Sequence, residues 1–232
     1  MSAPDLIGPR EAGRNDVVAH YDEAYYAYQC ESAEFGGWAL SPLFSGVVAA
    51  TDRVVDFGCG GGYVLKHLAC AERVGVEVND AARRVALAVN GVRTVTSARE
   101  LPDAWADVII SNHALEHCAD PLGELAALLP KLKPGGRFVC YVPHESIANR
   151  WRPDSIDNHL YTWNPMTLGN LFAGAGYEVV EVGGYYHIWP PLFKTLAKGG
   201  RRFFQWCCFA YGTLRRHNSQ VRIVARRPAA PA

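Results

Sequence analysis

The stretch Val54-Val55-Asp56-Phe57-Gly58-Cys59-Gly60-Gly61-Gly62, followed about twenty residues later by Gly75-Val76-Glu77-Val78, decides the fold. An apolar run feeds an acid, then a glycine cluster, then Tyr63-Val64-Leu65-Lys66-His67-Leu68 with helical spacing, which reads as strand, tight turn, helix. Glycines at 58, 60 and 62 permit positive φ and leave no Cβ in the way. A ligand can therefore lie against bare backbone at the positive N-terminal end of the helix. Glu77 closes a second apolar strand, Arg73 to Val78, where a carboxylate can accept both ribose hydroxyl protons.

A dinucleotide fingerprint would read G-x-G-x-x-G and cradle a pyrophosphate. Here the order is Asp56-x-Gly58-x-Gly60-x-Gly62, and the acid before the first glycine repels a pyrophosphate and suits a cationic ligand. This segment resembles motif I of the class I S-adenosylmethionine-dependent methyltransferases, whose cofactor carries an amino acid and a sulfonium. The resemblance implies an α/β fold: a Rossmann-like seven-stranded sheet with helices on both faces, its last two strands an antiparallel edge pair with a helical insertion between them. It also implies S-adenosyl-L-methionine as cofactor, held by Asp56, Phe57, Gly58, Cys59, Gly60, Glu77, Val78, Ser97, Ala98 and Asn112. Cys59 is expected as a small filler. Ser97-Ala98-Arg99 stands where the family often has Asp-Ala, so Ser97 or backbone would hold the adenine amino group.

The resemblance runs from about residue 50 to 185. Asp107-Val108-Ile109-Ile110-Ser111 is a buried-strand run with Asn112-His113-Ala114-Leu115-Glu116-His117 at its carboxyl end, where ligands bind in open α/β sheets. Asp120-Pro121 starts a helix expected to reach about Leu132, Lys133-Pro134-Gly135-Gly136-Arg137 ends it, and Phe138 to Pro143 is the next strand. The phrase L-E-H, D-P, L-K-P-G-G is similar to methyltransferases that modify small molecules, quinones and sugars. The N/D-P-P-Y signature of base-amino methylation is missing after this strand, where Ser111-Asn112-His113-Ala114 stands, which counts against a nucleic-acid methyltransferase. Asp56 and Glu77 count against a noncatalytic NAD-binding protein.

Methyl transfer from a sulfonium is an in-line displacement, so a base need remove only one proton. His117, just past the strand end, and His159, in Asp157-Asn158-His159-Leu160-Tyr161, are the catalytic candidates. His113, His144, Tyr161 and, from the N-terminal helix, Tyr21 and Tyr25 are candidates for substrate contact. His113-x-x-Glu116-His117 matches the letters of the H-x-x-E-H zinc motif, but its place at a strand end removes the protease context. A related quinone-modifying family carries E-x-x-E-H here and holds a divalent metal with it. With His113 in the first position, no metal is expected.

With 232 residues, 49% hydrophobic and 20% charged, the chain suits one globular domain. Residues 1–14 are expected as a mobile tail and 15–50 as helices, Asn15 to Glu34 and Leu40 to Ala50. Residues 51–145 are the cofactor-binding core, 146–176 a substrate loop and helix, and 177–227 the edge strands, with 185–218 inserted between them. Seven cysteines without a C-x-x-C pair read as reduced thiols, and the absence of a signal pattern or apolar span reads as cytoplasmic. The formal net charge of zero hides an asymmetry: Glu181 is the last acid, and nine basic residues follow it. Arg201-Arg202 and Arg215-Arg216 bracket an aromatic run in the insertion, a pattern that fits packing against the sheet edge or contact with an anionic acceptor or membrane surface.

Overall fold

Seven strands form one sheet: β1 (Arg53–Phe57), β2 (Glu72–Val76), β3 (Arg93–Val95), β4 (Ala106–Asn112), β5 (Leu132–His144), β6 (Glu178–Tyr185) and β7 (Ser219–Arg226). Their order is β3-β2-β1-β4-β5-β7-β6. The first five run parallel, and β7 pairs antiparallel with both β5 and β6, as expected. The structure, a computed structural model, describes residues 23–152, 157–215 and 219–229. Among the described residues the α-helices are α1 (Glu23–Ser45), α2 (Tyr63–Lys66), α3 (Asp80–Asn90), α4 (Pro121–Leu128), α5 (Pro165–Gly174), α6 (Phe193–Leu196) and α7 (Arg201–Leu214).

Continuous apolar runs in β1, β4 and β5 are explained by burial on both faces. Val55, Ile109 and Phe138 point into a core shared with Leu125 of α4 and Phe172 of α5. Val54, Val108, Ile110 and Val139 point the other way, against Phe44 of α1 and Leu65 of α2. The chain runs outward from β1 through β2 to β3 and returns to β4 on the opposite side of β1. The carboxyl ends of β1 and β4 therefore flank the switch point, where this topology leaves a crevice. Ser111 ties the two together by donating its hydroxyl to the Phe57 carbonyl at 2.9 Å.

Several element boundaries differ from expectation. From Glu23 the described chain is one continuous helix, α1, through Gly36-Gly37 and Pro42 to Ser45, where a break between Glu34 and Leu40 was expected. Gly37 is there for close approach: a Cβ on it would collide with the Tyr63 carbonyl oxygen and lie 2.6 Å from the carbonyl carbon. Pro42 cannot donate to the Trp38 carbonyl, and Ser41 does so with its hydroxyl at 3.4 Å. α2 lasts only four residues, and β2 ends before Glu77. α4 stops at Leu128, where a short 3₁₀ turn containing Pro130 takes over. The Lys133 to Arg137 segment is not a turn but part of β5, absorbed as an irregularity in its pairing with β4 while Gly135 takes φ +77°. The expected tail and Tyr21 lie outside the described residues, and Tyr25 is placed only as a member of α1.

Candidate active site

The glycine turn begins where β1 ends. Gly58 and Gly60 take φ of +75° and +51°. A Cβ on Gly58 would collide with the Ala114 methyl, so the turn is pressed onto the segment that follows β4. Nothing lies within 4 Å of where a Cβ on Gly60 would stand, which leaves a bare backbone cradle. Glu77 shapes it from below: one carboxylate oxygen accepts the Gly60 N–H and the other the Asn79 N–H, each at 2.8 Å. Burial raises the pKa of Glu77, and burial together with the Glu77 charge raises that of Asp56 well above its usual range. Two desolvated acids beside an open cradle favour a ligand that brings positive charge. The cradle thus fits a sulfonium amino acid better than a pyrophosphate.

Other residues expected at the cofactor fall around it. Cys59 is buried with its thiol against Gly75, as a filler would be. Ser97 caps a short 3₁₀ turn, accepting the Arg99 N–H at 3.2 Å, and Ala98 is fully buried behind it. Val78 is exposed, next to Glu77. Asn112 ends β4 and lines the neighbouring cavity.

That cavity, of about 570 Å³, opens at the carboxyl ends of β4 and β5. Asn112, His144 and Gln220 line it from β4, β5 and β7, His113 and Glu145 from just past β4 and β5, and His187 and Trp189 from the segment after β6. His113 holds φ +53°, a left-handed backbone that non-glycine residues adopt rarely, and its N–H reaches the Tyr141 carbonyl at 2.9 Å. Desolvation lowers its pKa, which leaves the ring neutral at pH 7, although about a third (36%) of the side chain stays exposed. Glu116 is fully buried, among the described residues neither of its carboxyl oxygens has a hydrogen-bond partner, and burial pushes its pKa to about 8. It lies 3.6 Å from His113 and 3.9 Å from His117, beyond hydrogen-bond distance.

The Glu116 carbonyl does a different job. It accepts the N–H groups of Leu160 and Tyr161 at 2.8 and 3.3 Å and so draws the 157–163 segment over the strand end. This brings the rings of His117 and His159 to 4.9 Å, edge to face. His159 Nδ1 lies 2.6 Å from Glu145 Oε1, and His144 Nδ1 2.9 Å from the Trp163 carbonyl. Tyr161 donates its hydroxyl to the Ala119 carbonyl at 3.1 Å and stacks on Trp163. Among the described residues one group has metal-ligand spacing: Glu116, His117 and His159 offer ligand atoms within 4.8 Å of one another, with the third donor coming from position 159 instead of 113.

The structure therefore brings His117 and His159 together, but the cavity wall itself is formed by His113, His144 and Glu145, with His159 behind Glu145. Sequence reasoning missed Glu145, His187, Trp189 and Gln220 as site residues, and weighed Glu116 only as part of a metal motif. Glu145 sits next to His144 at the end of β5, a position that the strand-end rule already marks. His187 carries no such signal.

Comparison with known proteins agrees with this geometry. Residues 30–182 match the family described as "Methyltransferase domain". A ubiquinone biosynthesis O-methyltransferase of Cereibacter sphaeroides is 30% identical over 226 residues, covering 79% of this chain and 88% of the relative. Another from the same species is 29% identical over 185 residues, covering 68% and 72%. Among solved structures, a methyltransferase in complex with the Haloferax volcanii Trm112 activator superposes with a TM-score of 0.69 at 19% identity, over 94% of this chain and all of that one. An acid-glycine turn at the end of β1, an acid after β2 and this sheet order, matched by that family, mean that the chain belongs to the class I S-adenosylmethionine-dependent methyltransferases.

Proposed function

We propose that this enzyme methylates a hydroxyl oxygen of a small phenolic acceptor lying in the cavity beside His113 and Glu145. The observation that carries the reading is the cavity itself, which opens at the same carboxyl end of the sheet as the glycine turn and presents a carboxylate backed by histidine. The O-methyltransferase relatives supply the acceptor class. Bound S-adenosylmethionine supplies an electrophilic methyl group on a sulfonium. Asp56, the 58–60 backbone and Glu77 would hold it, with Val78, Ser97, Ala98 and Asn112 as its further contacts.

The remaining work falls to the chain: fix the acceptor oxygen in line and take its proton. Glu145, with one oxygen held by His159, accepts the hydroxyl proton on the other. His117, edge on to His159, orients that ring, and neutral His113 bears on the acceptor from the strand end. Labelled-methyl transfer from S-adenosylmethionine to a panel of phenols tests this. Glu145→Ala and His159→Ala should each lower turnover by about 10²- to 10⁴-fold, while cofactor affinity measured by calorimetry stays unchanged. Wild-type turnover in both variants, or no label on any hydroxyl, sinks the reading.

A second feature concerns where the acceptor is met. Phe203 and Trp206 of α7 are exposed and stacked on each other, Leu192 and Leu214 are exposed nearby in sequence, and Lys194, Arg202 and Arg215 accompany them. Such a mixture supports contact with an anionic lipid surface, from which a poorly soluble or anionic acceptor would be drawn. No described helix is long and apolar enough to cross a membrane.

A further inference from the structure

Glu116 sits in the 3₁₀ turn after β4, fully buried, and among the described residues neither carboxyl oxygen has a hydrogen-bond partner. A buried acceptor without a donor costs free energy, and a native structure keeps one where something else supplies the partner. Two imidazoles stand beside it. His117 Nε2 lies 3.9 Å from Glu116 Oε1, and one ligand atom from each of Glu116, His117 and His159 lies within 4.8 Å of the other two. At 3.9 Å no hydrogen bond forms. Bonds of about 2.0 to 2.1 Å to one tetrahedral ion place its donors about 3.3 Å apart, so a small inward shift lets the three side chains share it.

His159 is oriented for this part. Its Nδ1 lies 2.6 Å from Glu145 Oε1, and because a carboxylate accepts, Nδ1 holds the hydrogen and Nε2 keeps the lone pair. A carboxylate behind a histidine in this way fixes the tautomer of a metal ligand and raises its basicity. The segment carrying His159 is anchored on the same turn through the Glu116 carbonyl, which accepts the Leu160 and Tyr161 N–H groups. The side chains of His117 and His159 are 15% and 18% exposed, which leaves an ion a way in. The sequence pattern argues against a metal because it counts its first donor at position 113. His113 Nδ1 is 3.6 Å from Glu116 Oε1 but falls outside the group, and the fold takes the third donor from the distant 157–163 segment instead. One carboxylate and two imidazoles suit a borderline first-row ion, whereas Mg²⁺ prefers oxygen ligands in octahedral geometry.

We infer that Glu116, His117 and His159 bind one borderline divalent ion of the zinc class, in preference to Mg²⁺, and that this ion pins the 157–163 segment to the end of β4. The inference needs no particular methyl acceptor, so it stands apart from the O-methylation reading. Zn²⁺ and, separately, Mg²⁺ are titrated into the chelator-treated native chain by calorimetry and thermal melting, with Co²⁺ as the spectroscopic probe. One Zn²⁺ per chain should bind and raise the melting midpoint by mass action, and a large excess of Mg²⁺ should not displace it. Bound Co²⁺ should show the intense visible absorption of a four-coordinate ion without the near-ultraviolet band that thiolate ligands give. Also in the native chain, Zn²⁺ should shift the side-chain ¹⁵N resonances of both His117 and His159. Glu145→Gln should weaken Zn²⁺ binding by about 10- to 100-fold, and His159→Gln by more. His113→Asn, whose new residue tolerates the left-handed backbone, should leave binding unchanged. Circular dichroism and S-adenosylmethionine affinity confirm that each variant is folded. A native chain without a stoichiometric Zn²⁺ site, equal affinity for Mg²⁺, a thiolate band, unmoved histidine resonances, full binding in His159→Gln, or its loss in His113→Asn overturns the inference. Zn²⁺ binding without methyl transfer to any phenol supports the site and removes only the O-methylation reading.

Discussion

Glu116 shows how one side chain can couple pH to folding. A free glutamate carboxyl titrates near 4.5, and burial pushes that of Glu116 up to about 8. Between those values the unfolded chain releases the proton and the folded chain keeps it, so stability is full below about pH 4.5 and falls as pH rises through 8. Glu116→Gln cannot titrate. In chelator-treated protein, denaturant midpoints from pH 5 to 9 should fall for the native chain relative to the glutamine variant by a few kcal/mol in all, with the two closest at the acid end. Parallel curves would mean that Glu116 is solvated or paired. None of this was legible in Leu115-Glu116-His117, which reads as a polar strand end. The segment that bonds to its backbone, at Leu160 and Tyr161, is more than forty residues away, and no local pattern announces it. Asp56 and Glu77 were legible because their offset from the glycines is local.

At the scale of elements, strands were read more faithfully than helices. β6 and β7 fall within the 177–227 span expected for the edge strands, whereas the gap expected between Glu34 and Leu40, which holds the glycine pair at 36 and 37, is continuous helix. The pair serves packing, and the two glycines differ in what they touch. A Cβ on Gly37 would collide with the Tyr63 backbone, while on Gly36 the nearest atom, from Trp189, would be 3.8 Å away. Gly37→Ala should cost about 1 to 3 kcal/mol through overpacking. Gly36→Ala should be neutral or stabilise by up to about 1 kcal/mol through helix propensity. Thermal melts of both variants check this, and equal loss in both would show that α1 does not press on the glycine turn as described. A similar limit explains α4: proline at position 130 ends the helix regardless of the leucines before it.

Across the whole molecule the sequence showed a charge asymmetry but not its distribution. Arg222 and Arg226 are matched by Glu181 and Glu178, at 3.0 and 2.6 Å, and Arg227 donates to the Pro130 and Leu132 carbonyls. The remaining basic residues cluster on the insertion, where Lys194, Lys198, Arg202 and Arg215 are exposed. Co-sedimentation with anionic vesicles should decline as salt rises from about 0.05 to 0.5 M, because surface charges are screened beyond a Debye length of about 8 Å at physiological salt. It should also decline in an Arg202→Glu/Arg215→Glu variant, and Trp206→Ser should weaken what salt leaves. Binding that ignores salt and charge reversal alike would make this surface merely solvated. The cofactor half of the site was readable because it is built within one strand-turn-helix unit. The acceptor half was not, because Glu145, His187 and Gln220 reach the cavity from three separate strand ends.

β6 and β7 are hydrogen-bonded neighbours whose last registered pair is Tyr185 with Gln220. Everything between them leaves and re-enters the sheet at one point, and closing a longer loop there raises the entropic cost only slowly. The far wall of the acceptor cavity is thus an interchangeable cassette. A lineage can rewrite residues 186–218, and with them the molecules it accepts, while the cofactor half is inherited unchanged. The parts of the scaffold that must change in step are the face of α1 carrying Phe35, Trp38 and Ala39, on which the cassette rests, and Tyr185 and Gln220, which meet Phe209 and His187.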